Sequence, residues 1–518
     1  MRSEVDAPAW FVKAVALSAA LCAGAAMVVV LIIGSDRLTA VSIAGGLFVI
    51  AAFLSGNLRL SCLWGLMLTL PLSVGLRLSQ YQERGGGENA IRIELCEVFL
   101  IALVFFLAHD VATGAIRRVR VPKLIWLWVA IMLLGTFTAF FGEFRWVAGL
   151  EVIRMFKVGV LFLVICNELR RRSTILHGAA ALTVSMLVQA TVGVVQYLRG
   201  GNLGLEVLGE APEKTSEILA GNSVYGAEVW RVSGLVMHPN LFGIFLASLL
   251  PLAIGMFLVR RNGLMRMLYL VATVFGVVSL IATFSRSSWL SFAAAMATML
   301  LLVFNHAELR RRVLVPLILA MVCMGAVGGA FSGKIVSRLV ESKEQATTGR
   351  EAFKEDARRL IAAKPIFGFG LNSYVDVVLP YSDFSRRSYP DWVPPVHHIY
   401  YLWWADTGIV GLTLHLAVFA SVVLVGITNL RIRDPMMLAI NVACLAAIVA
   451  FFVDGFLSFP LRTSSLLRLI WVQSGLIVAI YYWRLGGGDS YAQRSPSDPD
   501  DEIGELREQD PAVGGRFA

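Results

Sequence analysis

The sequence predicts an all-α, polytopic integral membrane protein, and two observations carry that prediction. Apolar residues make up 57% of the 518 positions and charged residues only 16%, whereas soluble domains average about 25% charged residues. The apolar residues also stand in long uninterrupted runs, not in the short periodic stripes of a soluble fold. An ordinary soluble enzyme, a disordered chain and a disulfide-stapled module are therefore excluded.

The long apolar runs mark the predicted transmembrane helices. A spanning helix needs roughly 20 mostly apolar residues, and by this criterion the sequence contains about 14 spans. The first run is too long for a signal-peptide core and is followed directly by others, so it is also predicted to be a helix. The predicted spans are 10–33, 38–54, 60–76, 93–107, 124–141, 150–166, 175–198, 241–259, 267–283, 288–304, 313–331, 400–425, 436–456 and 466–483.

Basic residues in alternate loops predict the topology. One set of loops holds arginine clusters such as 170–172 and 310–312, while the short loops of the other set hold few basic residues. The basic loops are predicted to be cytoplasmic, which places both termini in the cytoplasm and the segments 199–240 and 332–396 outside. The formal net charge of +9 is accordingly attributed to topology and not to nucleic-acid binding.

The chain is predicted to have two parts, a transmembrane helical domain over residues 1–483 and a disordered cytoplasmic tail over residues 484–518. The tail is rich in Gly, Ser, Pro, Asp and Glu and cannot bury enough apolar area to fold alone. The six cysteines lie in or beside apolar runs and form no CxxC pair. Neither a metal site nor a disulfide framework is predicted.

The outer segment 332–396 is predicted to contain an amphipathic helix. Over residues 350–363, apolar side chains recur at the spacing of one helix face, and Pro365 ends the pattern. The apolar positions are Phe353, Ala357, Leu360 and Ile361. The opposite face carries Arg350, Lys354, Arg358 and Arg359. Such a helix either lies on the outer membrane–water boundary or serves as a solvated packing element.

Two adjacent histidines, His397 and His398, form the clearest candidate site. They follow Pro394 and Pro395 and lead into an apolar helix through Tyr400. Imidazole is the side chain best suited to proton transfer near neutral pH. The pair also fits an interfacial histidine pair beside an aromatic belt, which membrane helices often show. The residues alone leave both interpretations open.

Two arginines are predicted to lie at the same outer depth as the histidines. Arg231 shortly precedes the span 241–259, and Arg286 lies in the outer turn before the span 288–304. Several guanidinium groups that face one cavity fit a pyrophosphate, because their planar fork matches phosphate oxygens.

Two further cations lie inside the span 150–166, where Arg154 and Lys157 are three residues apart. Charges within a membrane are costly and are functional by default, which makes both residues candidates for substrate binding. They also have possible acidic partners, which would make them structural ion pairs instead. The possible partners are Glu151, Glu94 and Glu97.

Four short stretches follow one another in a distinctive order and spacing. They are 231–240 (RVSGLVMHPN), 283–288 (TFSRSS), the helix and PIFGFG turn within 349–374, and 397–408 (HHIYYLWWADTG). Together they resemble the O-antigen ligase and O-antigen polymerase superfamily of bacterial envelope proteins. The resemblance covers roughly residues 220–480, whereas the earlier spans match that superfamily only in being hydrophobic.

The resemblance implies a glycosyltransferase of the C-type (GT-C) membrane architecture with a helical extracytoplasmic loop. The implied donor is a glycan on undecaprenyl pyrophosphate, used at the outer face of the bacterial inner membrane without a metal or other cofactor. The implied acceptor is a hydroxyl of lipid A–core for a ligase, or of another lipid-linked glycan for a polymerase. These motifs do not separate the two activities.

The resemblance also implies roles for individual residues. His397 would be the catalytic base, and Arg231, Arg286 and Arg350 would hold the pyrophosphate. The remaining candidate substrate-binding residues are His398, Tyr400, Arg154 and Lys157. The chain departs from the usual pattern twice, because His398 stands where the superfamily usually has Asn and Asp406 where it usually has Glu. His397 is favoured as the base because its distance to Gly408 matches the pattern.

Two other classes of function are compatible with the sequence. A transporter of polyprenyl-linked oligosaccharide also has many spans and cationic cavity residues, although no paired halves are visible here. A structural scaffold of an envelope assembly complex is the other alternative, and its histidines would be replaceable.

Overall fold

The computed structural model describes residues 56–80, 89–116, 118–141, 144–212, 230–261, 263–304, 343–382 and 394–487. Within these ranges the chain is mainly helical. The helices are α1 (Leu58–Thr69), α2 (Leu95–Ala112), α3 (Ile125–Phe141), α4 (Arg145–Glu168), α5 (Arg172–Arg199), α6 (Pro239–Val259), α7 (Gly263–Ala282), α8 (Arg286–Phe304), α9 (Lys343–Ala363), α10 (Tyr374–Val377), α11 (Ile399–Thr428), α12 (Pro435–Asp454) and α13 (Ser464–Leu485).

Eight helices of the described chain are long and apolar enough to cross a membrane, which agrees with a polytopic α-helical membrane protein. They are Leu95–Ala112, Arg172–Arg199, Pro239–Val259, Gly263–Ala282, Arg286–Val303, Ile399–Arg431, Pro435–Asp454 and Ser464–Leu485. Helix α4 has 24 residues, but its three charges near the middle keep it out of this set. The predicted spans 10–33, 38–54 and 313–331 lie outside the described residues, so the number of 14 spans stays a prediction.

A short antiparallel sheet interrupts the helical pattern where two adjoining spans were predicted. Strand β1 (Gly75–Gln80) pairs with β2 (Ala90–Glu94). The predicted boundaries 60–76 and 93–107 were therefore wrong, since Leu76 and Ile93 form a cross-strand pair. The physical reason is local, because a proline at position 71 cannot continue α1.

The centre of the bundle is formed by α6, α12 and α13. In the apolar stretch of 18 residues within each of these helices, between 83% and 94% of the residues are buried, compared with 22% in α2. A helix that is hydrophobic all round belongs inside a bundle, whereas a partly exposed apolar helix can face lipid. Helix α6 packs against α7, α8 and α12, and α13 packs against α4 and α11.

The predicted amphipathic helix is confirmed as α9, although it begins at Lys343 rather than at position 350. Its apolar residues Phe353, Ala357 and Leu360 are buried, and the helix packs against α11. It ends at Ala363, just before Pro365. Helix α11 is itself broken at Gly408, whose φ of 66° and ψ of −173° are not helical.

The boundary between the predicted transmembrane domain and the predicted tail stays a prediction. Helix α13 continues to Leu485, two residues into the predicted tail, and the residues from 488 onward lie outside the described chain. The N-terminus lies outside it as well, so the cytoplasmic placement of both termini stays a prediction.

Candidate active site

The segment 230–238 brings Arg231 against the turn between α7 and α8. The Nε of Arg231 donates to the Thr283 carbonyl at 2.9 Å, and its Nη2 donates to Oδ1 of Asn240 at 2.6 Å. The backbone N–H of Val232 also donates to the Ala282 carbonyl at 3.2 Å. These bonds fix a buried guanidinium close to the turn that carries Arg286.

Arg286 begins α8 directly after a tight turn in which Phe284 has a φ of 49°. Its neighbour Ser287 lies beside the carboxylate of Asp454, the last residue of α12, which is 1% exposed. The hydroxyl of Ser458 lies beside the same carboxylate. The turn before α8 and the end of α12 therefore meet at one place.

Arg350 approaches this place from α9. Burial and the positive charge of Arg286 lower the pKa of the Arg350 guanidinium, and the nearby Asp454 carboxylate opposes that effect. The effect of Arg286 on Arg350 shows that two cations from different helices are close together. The carboxylate of Asp454 lies near Arg350 as well.

His397 completes the cluster at the start of α11. Burial, followed by the positive charge of Arg350, lowers the pKa of His397 to about 4, against an opposing effect of the Pro395 backbone. Its ring meets Phe459 edge to face at 5.1 Å. The Nδ1 of His397 is buried and forms no hydrogen bond to any described residue. At neutral pH this imidazole is uncharged.

His398 is held differently, because it caps α11. Its Nδ1 accepts a hydrogen bond from the backbone N–H of Tyr401 at 3.3 Å, and its ring stacks on Tyr401 at 4.2 Å. A neutral imidazole whose Nδ1 accepts must carry its proton on Nε2. Burial and the charge of Lys354 lower the pKa of His398. His398 therefore has no nitrogen lone pair left to accept a proton.

His238 has the same capping role at the start of α6. Its Nδ1 accepts from the backbone N–H of Asn240 at 3.0 Å. Burial, the charge of Arg231 and then His397 lower the pKa of His238 to about 4. His238 therefore lies close to both Arg231 and His397. His238 was not among the predicted site residues, although its place in the first of the four stretches was a usable signal.

The predicted site residues thus separate into two groups. The structure brings Arg231, Arg286, Arg350 and His397 into one cluster, which we call the outer cluster, together with His238 and Asp454. Tyr400 lies next to it, but its hydroxyl donates to the Phe452 carbonyl at 2.8 Å and so points toward α12. Asp454 was missed because a single acidic residue at the end of an apolar run carries no distinctive spacing.

Arg154 and Lys157 belong to a second cluster between α2, α4 and α13, which we call the inner cluster. Lys157 pairs with Glu97 at 2.6 Å and also donates to the Arg92 carbonyl at 2.9 Å. Arg154 pairs with Glu151. Lys157 and Arg154 both line a pocket there. Each of these cations therefore has a carboxylate of its own.

The two clusters are adjacent but separate. Arg154 donates to the Arg462 carbonyl at 3.0 Å, and Arg462 belongs to the short turn that begins just after Phe459, the ring that contacts His397. Arg468 of α13 pairs with Glu94 in the inner cluster. In the part of the chain described by the structure, no group of three His, Cys, Asp or Glu residues could hold a metal ion.

The fold and this site define a class: a polytopic membrane protein with a cationic, histidine-containing cluster where several helices end. Comparison with known families gives a more particular result. The family model described as O-antigen ligase matches residues 271–416, and the resemblance predicted from the four stretches is thereby confirmed. The match spans Arg286, Arg350 and His397, whereas Arg231 and Asp454 lie outside it. No curated protein shows significant similarity to the chain.

Residues 271–416 are thus similar to the O-antigen ligase family, and together with the eight long apolar helices this similarity points to a multi-pass bacterial membrane protein. The matched region contains three of the four predicted residues of the outer cluster. The region matched by the family model therefore overlaps the site that the geometry indicates.

Proposed function

We propose that the protein transfers a glycan from undecaprenyl pyrophosphate to an acceptor hydroxyl at the outer face of the bacterial inner membrane. The observation that carries this proposal is the outer cluster itself. Three arginines from the segment before α6, from α8 and from α9 converge beside one imidazole with an unoccupied nitrogen. A pyrophosphate offers the charge and the oxygen geometry that converging guanidinium groups match.

The proposed reaction is a displacement at the anomeric carbon with inversion. His397 takes the proton of the acceptor hydroxyl, and the acceptor oxygen forms the new bond to the anomeric carbon. The bond from that carbon to the pyrophosphate oxygen breaks, and undecaprenyl pyrophosphate leaves with the electron pair. Arg231, Arg286 and Arg350 stabilise the negative charge that grows on the leaving group. The donor is already activated by its pyrophosphate, so the reaction needs no nucleotide sugar.

The electrostatics of the cluster couple donor binding to the base. Burial, followed by the positive charge of Arg350, lowers the pKa of His397 to about 4, and an imidazole with so low a pKa is a weak base. A bound pyrophosphate neutralises Arg350, so the pKa of His397 rises toward the ordinary value near 6.5. His397 thus becomes an effective base only when the donor is in place.

His397, not His398, is the proposed base. The Nδ1 of His398 is occupied by the N–H of Tyr401, and its Nε2 carries the proton in the neutral ring. His397 keeps a buried Nδ1 without a hydrogen bond to the described chain. This geometry supports the choice that the spacing to Gly408 had favoured.

The ligase and polymerase activities share donor and base, and the product separates them. Purified protein is incubated with labelled undecaprenyl-pyrophosphate-linked oligosaccharide, with and without lipid A–core. Label on lipid A–core identifies a ligase, and longer lipid-linked chains identify a polymerase. If the donor stays intact in detergent with either acceptor, the glycosyltransferase proposal fails. The transporter and scaffold alternatives would then remain.

The remaining candidates have weaker support for contact with the donor. Arg154 and Lys157 are each neutralised by a carboxylate, so they offer less charge to a pyrophosphate than the outer cluster does. Tyr400 binds the backbone of α12, and His398 caps α11. We propose that these four residues have structural roles and do not contact the donor.

A further inference from the structure

Helix α11 is interrupted at Gly408, and the interruption leaves backbone groups without their helical partners. Gly408 has a φ of 66°, a conformation that favours glycine. A Cβ at this position would lie 2.0 Å from the Ile366 carbonyl oxygen, so another chain segment approaches as closely as a glycine allows. Backbone groups freed inside a membrane protein must find new partners.

The segment 365–370, directly after α9, supplies those partners on one side of the break. The backbone N–H of Ile409 donates to the Pro365 carbonyl at 2.8 Å. The backbone N–H of Val410 donates to the Ile366 carbonyl at 3.3 Å. The second half of α11 therefore begins with its first N–H groups bound to the α9 side.

The same segment also satisfies the carbonyl groups on the other side of the break. The N–H of Phe369 donates to the Ala405 carbonyl at 3.0 Å, and the N–H of Gly370 donates to the Asp406 carbonyl at 2.8 Å. Gly368 has a φ of 68°, and a Cβ there would lie 2.5 Å from the backbone of Asp406. The two glycines of the PIFGFG turn thus fit into the broken helix.

The segment 365–370 and the break in α11 together form a junction that we call the anchor. The side chain of Asp406 adds further hydrogen bonds to it. It is 1% exposed, and its carboxylate accepts from the backbone N–H groups of Tyr374 at 2.8 Å and Asn372 at 3.3 Å. It also accepts from Nη1 of Arg462 at 2.5 Å. A buried carboxylate is retained when it is paired and fully hydrogen-bonded. One side chain therefore joins α11, the turn after α9, and the turn before α13.

The anchor fixes the C-terminal end of α9. Helix α9 ends at Ala363, two residues before the anchored segment, and Arg350 is thirteen residues farther back. At about 1.5 Å per residue, Arg350 lies about 20 Å along the helix from the anchor. A small rotation of α9 at its anchored end would therefore displace Arg350 from the outer cluster.

We propose that Asp406 is a positioning residue, which holds α9 on the broken helix α11 and so places Arg350 beside Arg286 and His397. Asp406 does not contact the reacting groups. The inference rests on the proposed function only for its activity measurement, because the position of α9 can be measured without substrate.

The direct test is hydrogen–deuterium exchange of full-length protein in detergent. In Asp406→Asn, we expect the amides of residues 350–363 to exchange about tenfold faster, because the anchored end of α9 is loosened. The matched control is Asp434→Asn. Asp434 is also a buried carboxylate, which accepts from Arg172 at 2.6 Å and from two backbone N–H groups. It lies at the start of α12, the end opposite to Asp454 and the outer cluster. Asp434→Asn should leave exchange in α9 unchanged.

A second variant tests the anchor from the other side and does not remove a buried charge. Gly368→Ala places a Cβ against Asp406 and should also accelerate exchange in α9. Gly114→Ala is its control, since Gly114 has a φ of 77° but nothing within 4 Å of the added Cβ. Unchanged exchange of residues 350–363 in both folded variants, Asp406→Asn and Gly368→Ala, would overturn the proposal.

The second measurement is the kcat/KM of glycan transfer from labelled undecaprenyl-pyrophosphate-linked oligosaccharide. Asp406→Asn should lower kcat/KM about tenfold, but in an Arg350→Ala background it should add no more than about a twofold loss. If the losses of the two single variants multiply fully in the double variant, Asp406 does not act through Arg350. If Arg350→Ala alone leaves kcat/KM unchanged, the proposed donor site fails, and the exchange data still decide whether Asp406 anchors α9.

Discussion

The outer and inner clusters of this bundle carry buried charge in opposite ways. In the inner cluster Lys157 and Arg154 each meet a carboxylate, and the pairs neutralise themselves. In the outer cluster burial and the neighbouring charge of Arg286 instead lower the pKa of the Arg350 guanidinium, and the nearby Asp454 carboxylate opposes that effect only in part. The excess of positive charge at the outer cluster is what an anionic ligand would neutralise, whereas Lys157 and Arg154 of the inner cluster already have carboxylate partners.

The comparison suggests how a charge within a membrane protein can be interpreted. Such charges are functional by default, but an ion pair between neighbouring helices serves structure as readily as chemistry. The difference lies in whether the protein supplies the counter-charge itself. Variants of the outer cluster should therefore lose transfer, and variants of the inner cluster should lose stability.

The largest expected effect is the loss of the base. His397→Ala should reduce transfer by about 10²- to 10⁴-fold, the usual contribution of general base catalysis, while the protein still folds. The measurement is product formation from labelled lipid-linked oligosaccharide by purified protein. His398→Ala is the control, because it removes a helix cap worth about 1 kcal/mol and should keep most of the activity. If His398→Ala is the inactive variant, the assignment of the two histidines is reversed.

The next effect concerns the arginines of the outer cluster. Arg286→Gln and Arg350→Gln should each weaken use of the donor by about 10- to 100-fold, since a charged hydrogen bond to phosphate is lost. The change should be visible as a higher KM for the lipid-linked donor. Arg358→Gln on the same helix α9 is the control, because Arg358 pairs with Glu355 at 3.1 Å on the exposed surface. Equal effects of Arg358→Gln and Arg350→Gln would argue against a specific pyrophosphate site.

The inner cluster should respond in stability. Lys157→Met leaves the buried Glu97 without its partner and should lower the free energy of unfolding by about 2 kcal/mol. The double variant Lys157→Met/Glu97→Gln should recover most of that loss, because no uncompensated charge remains. Thermal unfolding in detergent measures stability, and transfer per folded molecule measures function. A large rise in donor KM in the double variant would instead make Lys157 a ligand.

The smallest effect is a shift in pH dependence. The pKa of His397 near 4 means that the free enzyme keeps its base unprotonated above about pH 4, so kcat/KM should fall only near that pH. Arg350→Gln removes a positive neighbour, which raises the pKa of His397 toward 6.5. The acid limb of the kcat/KM profile should then move to higher pH. An acid limb that does not move would show that Arg350 does not act on the base.

Much of the bundle could be predicted from hydrophobicity alone. The spans from 241–259 to 466–483 correspond to α6, α7, α8, α11, α12 and α13 wherever the chain is described. The amphipathic spacing over 350–363 likewise predicted α9. The sheet formed by β1 and β2 was missed because leucine-rich segments beside Pro71 have the composition of a membrane span, and composition does not report backbone pairing.

The candidate site was predictable in part. The motifs pointed to His397 and the arginines because imidazole and guanidinium are distinctive chemical groups. The roles of His238 and Asp454 depend on contacts between residues far apart in the chain. The break at Gly408 is similar, since a lone glycine in an apolar helix gives no sign that another segment inserts there.

The amino-acid order by itself determined that this chain is a membrane-embedded helical bundle and which residue types are available for chemistry. Those properties follow from local hydrophobicity and side-chain identity, which each residue carries wherever it lies. Only the tertiary structure decided which cations are neutralised and which are left in excess. That distinction depends on distances between helices, and a buried charge is stabilised or left to bind a ligand according to what lies within a few ångströms of it.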